Sequence, residues 1–202
     1  MSDVRSMKHP SMTSILSHFE ESARLAQDLL GDAAFLASME KGAHVLIDAL
    51  RQDAKILSCG NGGSMCDAMH FAEELSGRYR DDRPPFAALA LSDVSAMTCV
   101  GNDYGFDQVF ARQVQALGRP GDVLLAISTS GNSGNILEAC RAAKTAGMHV
   151  VSLTGNGGGA LRPMADVDVC VPWSGYADRI QEVHIRCIHS WIDAIEQALT
   201  QG

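Results

Sequence analysis

The chain has no apolar run approaching the ~18 residues that a membrane-spanning helix needs, which excludes such a span. It has no basic cluster: 16 lysines and arginines stand against 24 acidic residues, for a net charge of -8. That balance argues against a nucleic-acid backbone as partner. Its six cysteines (Cys59, Cys66, Cys99, Cys140, Cys170 and Cys187) are scattered, with no C-x-x-C pair. Several lie inside apolar runs, where free thiols pack as small hydrophobes. This usage points to a reducing cytoplasm rather than a disulfide scaffold. The N-terminus is polar and carries no signal-type apolar stretch, so a cytoplasmic location is expected. There is no strong internal repeat and no low-complexity linker.

What is present is a chain of 202 residues, 46% of them hydrophobic, enough for one domain with a substantial core. Residues 1–10 read as frayed. Residues 11–30 and 33–52 carry apolar residues at helical spacing, among them Ile15, Leu16, Phe19, Leu25 and Leu29, then Leu36, Met39, Val45, Leu46 and Leu50. Gly31-Asp32 marks the break between them. From residue 55, strands and helices alternate. Strands are expected at 55–59, 87–91, 123–127, 149–153 and 168–171. Helices are expected at 65–76, 93–99, 106–117, 134–146 and 177–199. Short apolar strands without polar alternation imply an α/β fold: a five-stranded parallel sheet covered by helices on both faces. The division is a helical segment at 1–54 and an α/β domain at 55–202. The apolar faces of this helix pair must be buried, either as a cap on the sheet or, since an already covered sheet leaves apolar surface over, in a helical bundle with other subunits.

Two glycine-rich turns dominate the α/β part. The first is Ser58-Cys59-Gly60-Asn61-Gly62-Gly63-Ser64; the second is Ile127-Ser128-Thr129-Ser130-Gly131-Asn132-Ser133-Gly134. Each lies between an expected strand and an expected helix. Glycine lets the backbone approach a ligand, and the free N–H groups of the following helix favour an anion. The hydroxyls add short neutral donors. Two such cradles at the carboxyl ends of one sheet point to a small phosphorylated molecule held along its length. Other phosphate motifs fail. Neither turn ends in Gly-Lys-Ser/Thr, and Gly60-x-Gly62 has Met65 where a dinucleotide fingerprint needs its third glycine. Thr154-Gly155-Asn156-Gly157-Gly158-Gly159-Ala160 fits G-x-G-x-x-A, but Pro163 follows too soon for a long helix.

Candidate chemistry lies on the flanking helices. His70 and Glu74, four apart, share one helix face and can share a metal ion. On the last helix Asp178 and Gln181 share a face, with His184 one turn on. His189 stands eight residues from Gln181, about 80° around and ~12 Å along. Spacing alone therefore pairs Gln181 with His184 rather than His189. Asp103, within Gly101-Asn102-Asp103-Tyr104-Gly105, reads as part of a sharp turn or as a substrate-facing carboxylate.

In combination these residues resemble a known family. Residues 58–64, with Cys66-Asp67-Ala68-Met69-His70-Phe71-Ala72-Glu73-Glu74-Leu75, are similar to the first signature of the phosphoheptose isomerases, enzymes of the sugar-isomerase (SIS) fold. Val100-Gly101-Asn102-Asp103, residues 127–133 and Gly175-Tyr176-Ala177-Asp178-Arg179-Ile180-Gln181-Glu182 match later signatures. The similarity runs from about residue 55 to 198, and more loosely through the N-terminal helices.

The resemblance implies a flavodoxin-like five-stranded sandwich and a homotetramer with sites at subunit interfaces. It implies conversion of sedoheptulose 7-phosphate to D-glycero-D-manno-heptose 7-phosphate, the first step toward the heptose of lipopolysaccharide core. It also implies a zinc ion on His70, Glu74, Gln181 and His189, against the spacing preference for His184. Phosphate and sugar contacts fall on Asn61, Gly62, Gly63, Glu74, Asn102, Asp103, Ser128, Thr129, Ser130, Ser133, Asp178 and Gln181. Glu74 is the implied base and His189 the implied acid; alternatively, zinc polarises the sugar oxygens while Glu74 shifts between roles. The same fold also serves a non-enzymatic DnaA initiator-associating protein and sugar-phosphate-sensing domains of regulators. The first branch lacks the residues matching His70 and Glu74, and no DNA-binding segment of the kind that accompanies the second is visible here.

Overall fold

The computed structural model describes residues 12–200, so the expectation for residues 1–10 lies outside it. Two helices come first, α1 (Met12–Gly31) and α2 (Ala33–Arg51). Asp32 separates them by capping the second. Its Oδ1 accepts from the backbone N–H of Ala34 at 3.0 Å and of Phe35 at 2.9 Å, donors that a helix start otherwise leaves unpaired.

The alternation then runs β1 (Ile56–Cys59), α3 (Gly63–Ser76), β2 (Ala88–Ala90), α4 (Val94–Tyr104), α5 (Ala111–Leu117), β3 (Val123–Ser128), α6 (Gly134–Thr145), β4 (His149–Thr154), β5 (Val167–Cys170) and α7 (Ala177–Thr200). All five expected strands are present within a residue or two. They form one parallel sheet in the order β2-β1-β3-β4-β5.

Two expectations need correction. The helix expected at 93–99 continues to Tyr104, because Asp93 caps its start at 2.7 Å from Ala96 N–H and only Gly105, at φ +89°, breaks it. Asn102 and Asp103 are therefore on a last helical turn, not in a sharp turn. The helix expected at 106–117 is a 3₁₀ turn (Phe106–Gln108) followed by α5. The bend between them carries Val109 and Phe110, both fully buried.

The three central strands, β1, β3 and β4, each feed two cores, and β5 feeds one. Ile56, Val123, Leu125, Ile127, Val151, Leu153 and Val169 pack with α2, α3 and α7 on one face. Leu57, Cys59, Leu124, Ala126 and Val150 pack with α5 and α6 on the other. Burial on both sides explains why these strands read as unbroken apolar runs. Trp191 of α7 is buried and donates its indole N–H to the Met39 carbonyl at 2.8 Å. Gly42 makes room for it, since a Cβ there would lie 2.7 Å from the indole ring. An indole of this size buries roughly 200 Å², about 5 kcal/mol of hydrophobic stabilisation.

The strand order reverses between β1 and β3, where open parallel sheets form their ligand crevice. Both glycine loops leave the sheet there. The Asn61 and Asn135 side-chain amides pair reciprocally across the gap, at 2.9 and 2.8 Å. On the far side α1 and α2 leave Ile15, Leu16, Phe19, Leu30 and Leu36 exposed. An open apolar groove of about 600 Å³, with Leu29, Leu30, Phe35, Met39 and Cys187 in its walls, lies between α1, α2 and α7.

Candidate active site

The second glycine loop is held from behind by a third. Gly131 adopts φ +64°, and a Cβ there would lie 2.0 Å from the Gly158 carbonyl oxygen. Leu161 N–H donates to the Gly131 carbonyl at 2.9 Å. Asn132 Oδ1 accepts from Ala160 N–H at 3.0 Å, and Asn156 Nδ2 donates to the Thr129 carbonyl at 3.2 Å. The G-x-G-x-x-A stretch thus supports the 128–133 loop. As Pro163 implied, only a short 3₁₀ turn (Arg162–Met164) follows it before β5. The Ser128 and Ser133 hydroxyls stand 3.2 Å apart at the start of α6, and neither caps the helix. The first N–H groups of α6 and these hydroxyls together could hold an anion without a basic side chain.

The first loop turns at Gly62, at φ +55°, into α3. Gly60 cannot carry a side chain, since a Cβ would lie 2.3 Å from the Ser64 carbonyl oxygen. Along α3, Gly63, Asp67, His70 and Glu74 recur at helical spacing and share one face. That face packs on α7. The Gln181 amide lies against Gly63, 2.7 Å from where a Cβ would be. Farther along, His189 Nε2 meets His70 Nε2 at 3.1 Å, and His70 Nε2 lies 3.3 Å from Glu74 Oε1.

Three ligand atoms from His70, Glu74 and His189 therefore lie within 4.8 Å of one another, in partly buried side chains, and could hold a metal ion. Gln181 enters the α3–α7 contact one stretch earlier, against Gly63. Gly63, which it touches, precedes His70 by seven residues, about 10 Å of helical rise.

His184, favoured by spacing, is turned the other way. Its Nε2–H donates to the Thr154 carbonyl at 3.0 Å in the core. Burial pushes its pKa down to about 4, so it is neutral at physiological pH. The spacing preference for His184 is overturned because the rotation of α7 against β4 buries that residue and turns the next turn's histidine toward α3.

Asn102 and Asp103 are exposed at the end of α4 and bond each other at 2.8 Å. The Cys99 thiol donates to Asp103 at 3.6 Å. The structure shows no bond from this pair to either glycine loop among the described residues. Asp178 accepts from the Arg179 N–H at 2.9 Å at the start of α7.

One residue on the α3 face escaped the sequence reading. Burial raises the Asp67 carboxyl pKa to about 6, with His70 opposing the shift, and one of its buried oxygens has no hydrogen-bond partner. Its spacing to Gly63 and His70 was the available signal.

Residues 17–155 match the SIS domain family. The chain is 56% identical over 185 residues to a phosphoheptose isomerase from Vibrio parahaemolyticus, covering 92% of this chain and 97% of that one. The solved phosphoheptose isomerase from Neisseria gonorrhoeae is 46% identical with a TM-score of 0.84, over 91% of this chain and 97% of that one. The one from Francisella tularensis is 40% identical with a TM-score of 0.88, over 94% and 100%. No described helix is long and apolar enough to cross a membrane. With matches of this length on both sequence and fold, the chain belongs to the SIS domain family and, within it, to the phosphoheptose isomerases.

Proposed function

We propose that the protein converts sedoheptulose 7-phosphate to D-glycero-D-manno-heptose 7-phosphate through an enediol, as the cytoplasmic entry to the heptose of lipopolysaccharide core. The reading is supported by the hydroxyl-lined loop at the start of α6 together with the His70–Glu74–His189 cluster, whose first two members stand on the helix that leaves the first glycine loop. Anchored at one end, a seven-carbon sugar phosphate presents its ketose end to Glu74. Presence of His70 and Glu74 together disfavours the initiator-binding alternative.

Ser128, Thr129, Ser130 and Ser133 hold the phosphate with the N-terminal N–H groups of α6. Asn61, Gly62, Gly63, Asp178 and Gln181 line the sugar. Asn102 and Asp103 contact its hydroxyls from α4. Glu74 removes a proton from C1, the C1–C2 enediol forms, and the proton returns to C2. His189 delivers a proton to the carbonyl oxygen at C2 while O1 gives up its own, so the sum of protons is unchanged.

The cluster fits zinc. Tetrahedral zinc with bonds of ~2.0–2.1 Å separates its ligand atoms by roughly 3.3 Å, close to the 3.1 and 3.3 Å found here. Two imidazoles and a carboxylate leave a fourth position open, as in catalytic zinc sites. Gln181, which the resemblance makes a further ligand, lies against Gly63 on the same α3–α7 contact. When bound, zinc supplies Lewis-acid polarisation of the sugar oxygens.

Turnover of sedoheptulose 7-phosphate before and after chelation tests this. Loss on chelation and return with added zinc is expected. Full turnover by protein shown to be metal-free would remove zinc from the reaction. No turnover in any state would overturn the substrate.

Thr129→Ala probes the cradle. Losing a hydrogen bond to a charged group costs roughly 1.5–3 kcal/mol, so KM should rise about ten- to a hundredfold. An unchanged KM would place the phosphate elsewhere.

The apolar groove and the exposed face of α1 and α2 are read as the surface of a homotetramer built around residues 11–52. Support comes from Phe19 and Leu30, which are 72% and 69% exposed on helices that cannot join the sheet. Light scattering that found a stable monomer at micromolar concentration would refute this.

A further inference from the structure

Residues 77–87 connect α3 to β2 without helix or strand. Three of their side chains land on one face of α7. The Tyr79 ring stacks on the His189 ring, with centroids 5.7 Å apart and planes 27° from parallel. Arg80 pairs with Asp193 at 2.8 Å, and Arg83 with Glu196 at 2.8 Å. His189, Asp193 and Glu196 stand at i, i+4 and i+7, one stripe of the helix.

Arg83 does more than pair. Its side chain is only 3% exposed. One guanidinium nitrogen donates to the Glu74 carbonyl at 2.7 Å and another to the Leu75 carbonyl at 2.8 Å. These belong to the last turn of α3, whose carbonyls have no partner within the helix and whose dipole favours a cation. The Phe86 ring lies 4.6 Å from the guanidinium carbon. One buried side chain thus ties the turn that carries Glu74 to the helix that carries His189.

We infer that residues 77–86 are a positioning strap for the reaction: Tyr79 fixes the plane of the His189 ring, and Arg83 fixes Glu74 relative to it. This rests on the reading of Glu74 and His189 as site residues. Arg80 adds little, because its pair with Asp193 is largely exposed. The strap is apart from the phosphate cradle, which is built on β3 and α6. Disturbing it should act on the chemical step and on metal retention, and spare substrate anchoring.

The test compares Tyr79→Ala, Tyr79→Phe and Arg83→Lys with Glu74→Gln, reading kcat, KM, zinc loss to a competing chelator and thermal midpoint. Groups that orient metal ligands are typically worth about 10–100-fold in activity or metal affinity. Tyr79→Ala should lower kcat by that factor and release zinc more readily, with KM unchanged. Tyr79→Phe keeps the stacked ring and should match the parent. Lysine keeps the charge facing Glu196, but its single ammonium cannot also reach both carbonyls. Arg83→Lys should therefore also lower kcat.

A merely structural strap would lower the thermal midpoint and leave kcat of the folded protein intact. Parental kcat and zinc retention in Tyr79→Ala overturn the inference, whether or not Arg83→Lys folds. If Glu74→Gln loses turnover while Tyr79→Ala keeps it, the strap fails and the site stands. If Glu74→Gln keeps turnover, the reading of Glu74 as the base has failed, and the strap is judged on zinc retention alone.

Discussion

Glu74→Gln should lower kcat by ~10²–10⁴, the usual worth of a positioned general base, and abolish solvent hydrogen exchange at the carbon beside the carbonyl. Glutamine keeps the size of the side chain and can keep a weak metal contact, but it cannot accept the proton. The Glu74 side chain is 17% exposed and sits one turn past His70 on the helix that leaves the first glycine loop. In the proposed binding mode it faces the reacting end of a sugar whose phosphate lies in the other loop. Near-normal turnover and exchange in this variant would make Glu74 a metal ligand only. The base would then be another carboxylate: Asp67 on the same helix face, or Asp103 or Asp178.

The second large effect concerns the metal. His70→Ala and His189→Ala should each drop zinc from about one ion per chain to a trace, because each removes one of the three donors that define the site. His184→Gln should retain it, since glutamine can still donate to the Thr154 carbonyl and the ring it replaces faces the core. Elemental analysis of the dialysed proteins decides the matter. Zinc retained in both alanine variants would sink the assignment. Zinc kept in His189→Ala and lost in His184→Gln would restore the pairing that helix spacing favours.

That contrast marks where sequence reading stops. The five strands were legible because a parallel sheet buried on both faces turns each strand into an apolar run between turn residues. Ser128 and Gly131 announced a loop because the residue types suit a tight approach to an anion, whatever surrounds them. His184 against His189 was not legible from spacing. Both lie on one helix, and the choice depends on how α7 is rotated against β4 and α3, a tertiary fact. The resemblance supplied the register, and the structure supplies its cause in the buried His184–Thr154 bond.

The extent of α4 was missed for a different reason. Gly101 and Asn102 are turn formers by composition, but the Asp93 cap and the room around Gly101 let the helix run on to Gly105. Tyr79 and Arg83 gave no signal, because their partners on α7 lie more than a hundred residues away. Asp67 was passed over although its spacing to His70 was in plain view.

Isomerisation by proton transfer is read most directly from the product formed from sedoheptulose 7-phosphate in deuterated water. NMR should show D-glycero-D-manno-heptose 7-phosphate carrying solvent deuterium at C2, to the extent that the proton held by Glu74 exchanges with solvent during the enediol's lifetime. No conversion by the folded, zinc-loaded protein would contradict the assigned activity. Conversion with full retention of the substrate's hydrogen at every turnover, and no exchange into recovered ketose, would contradict an enediol open to solvent through Glu74.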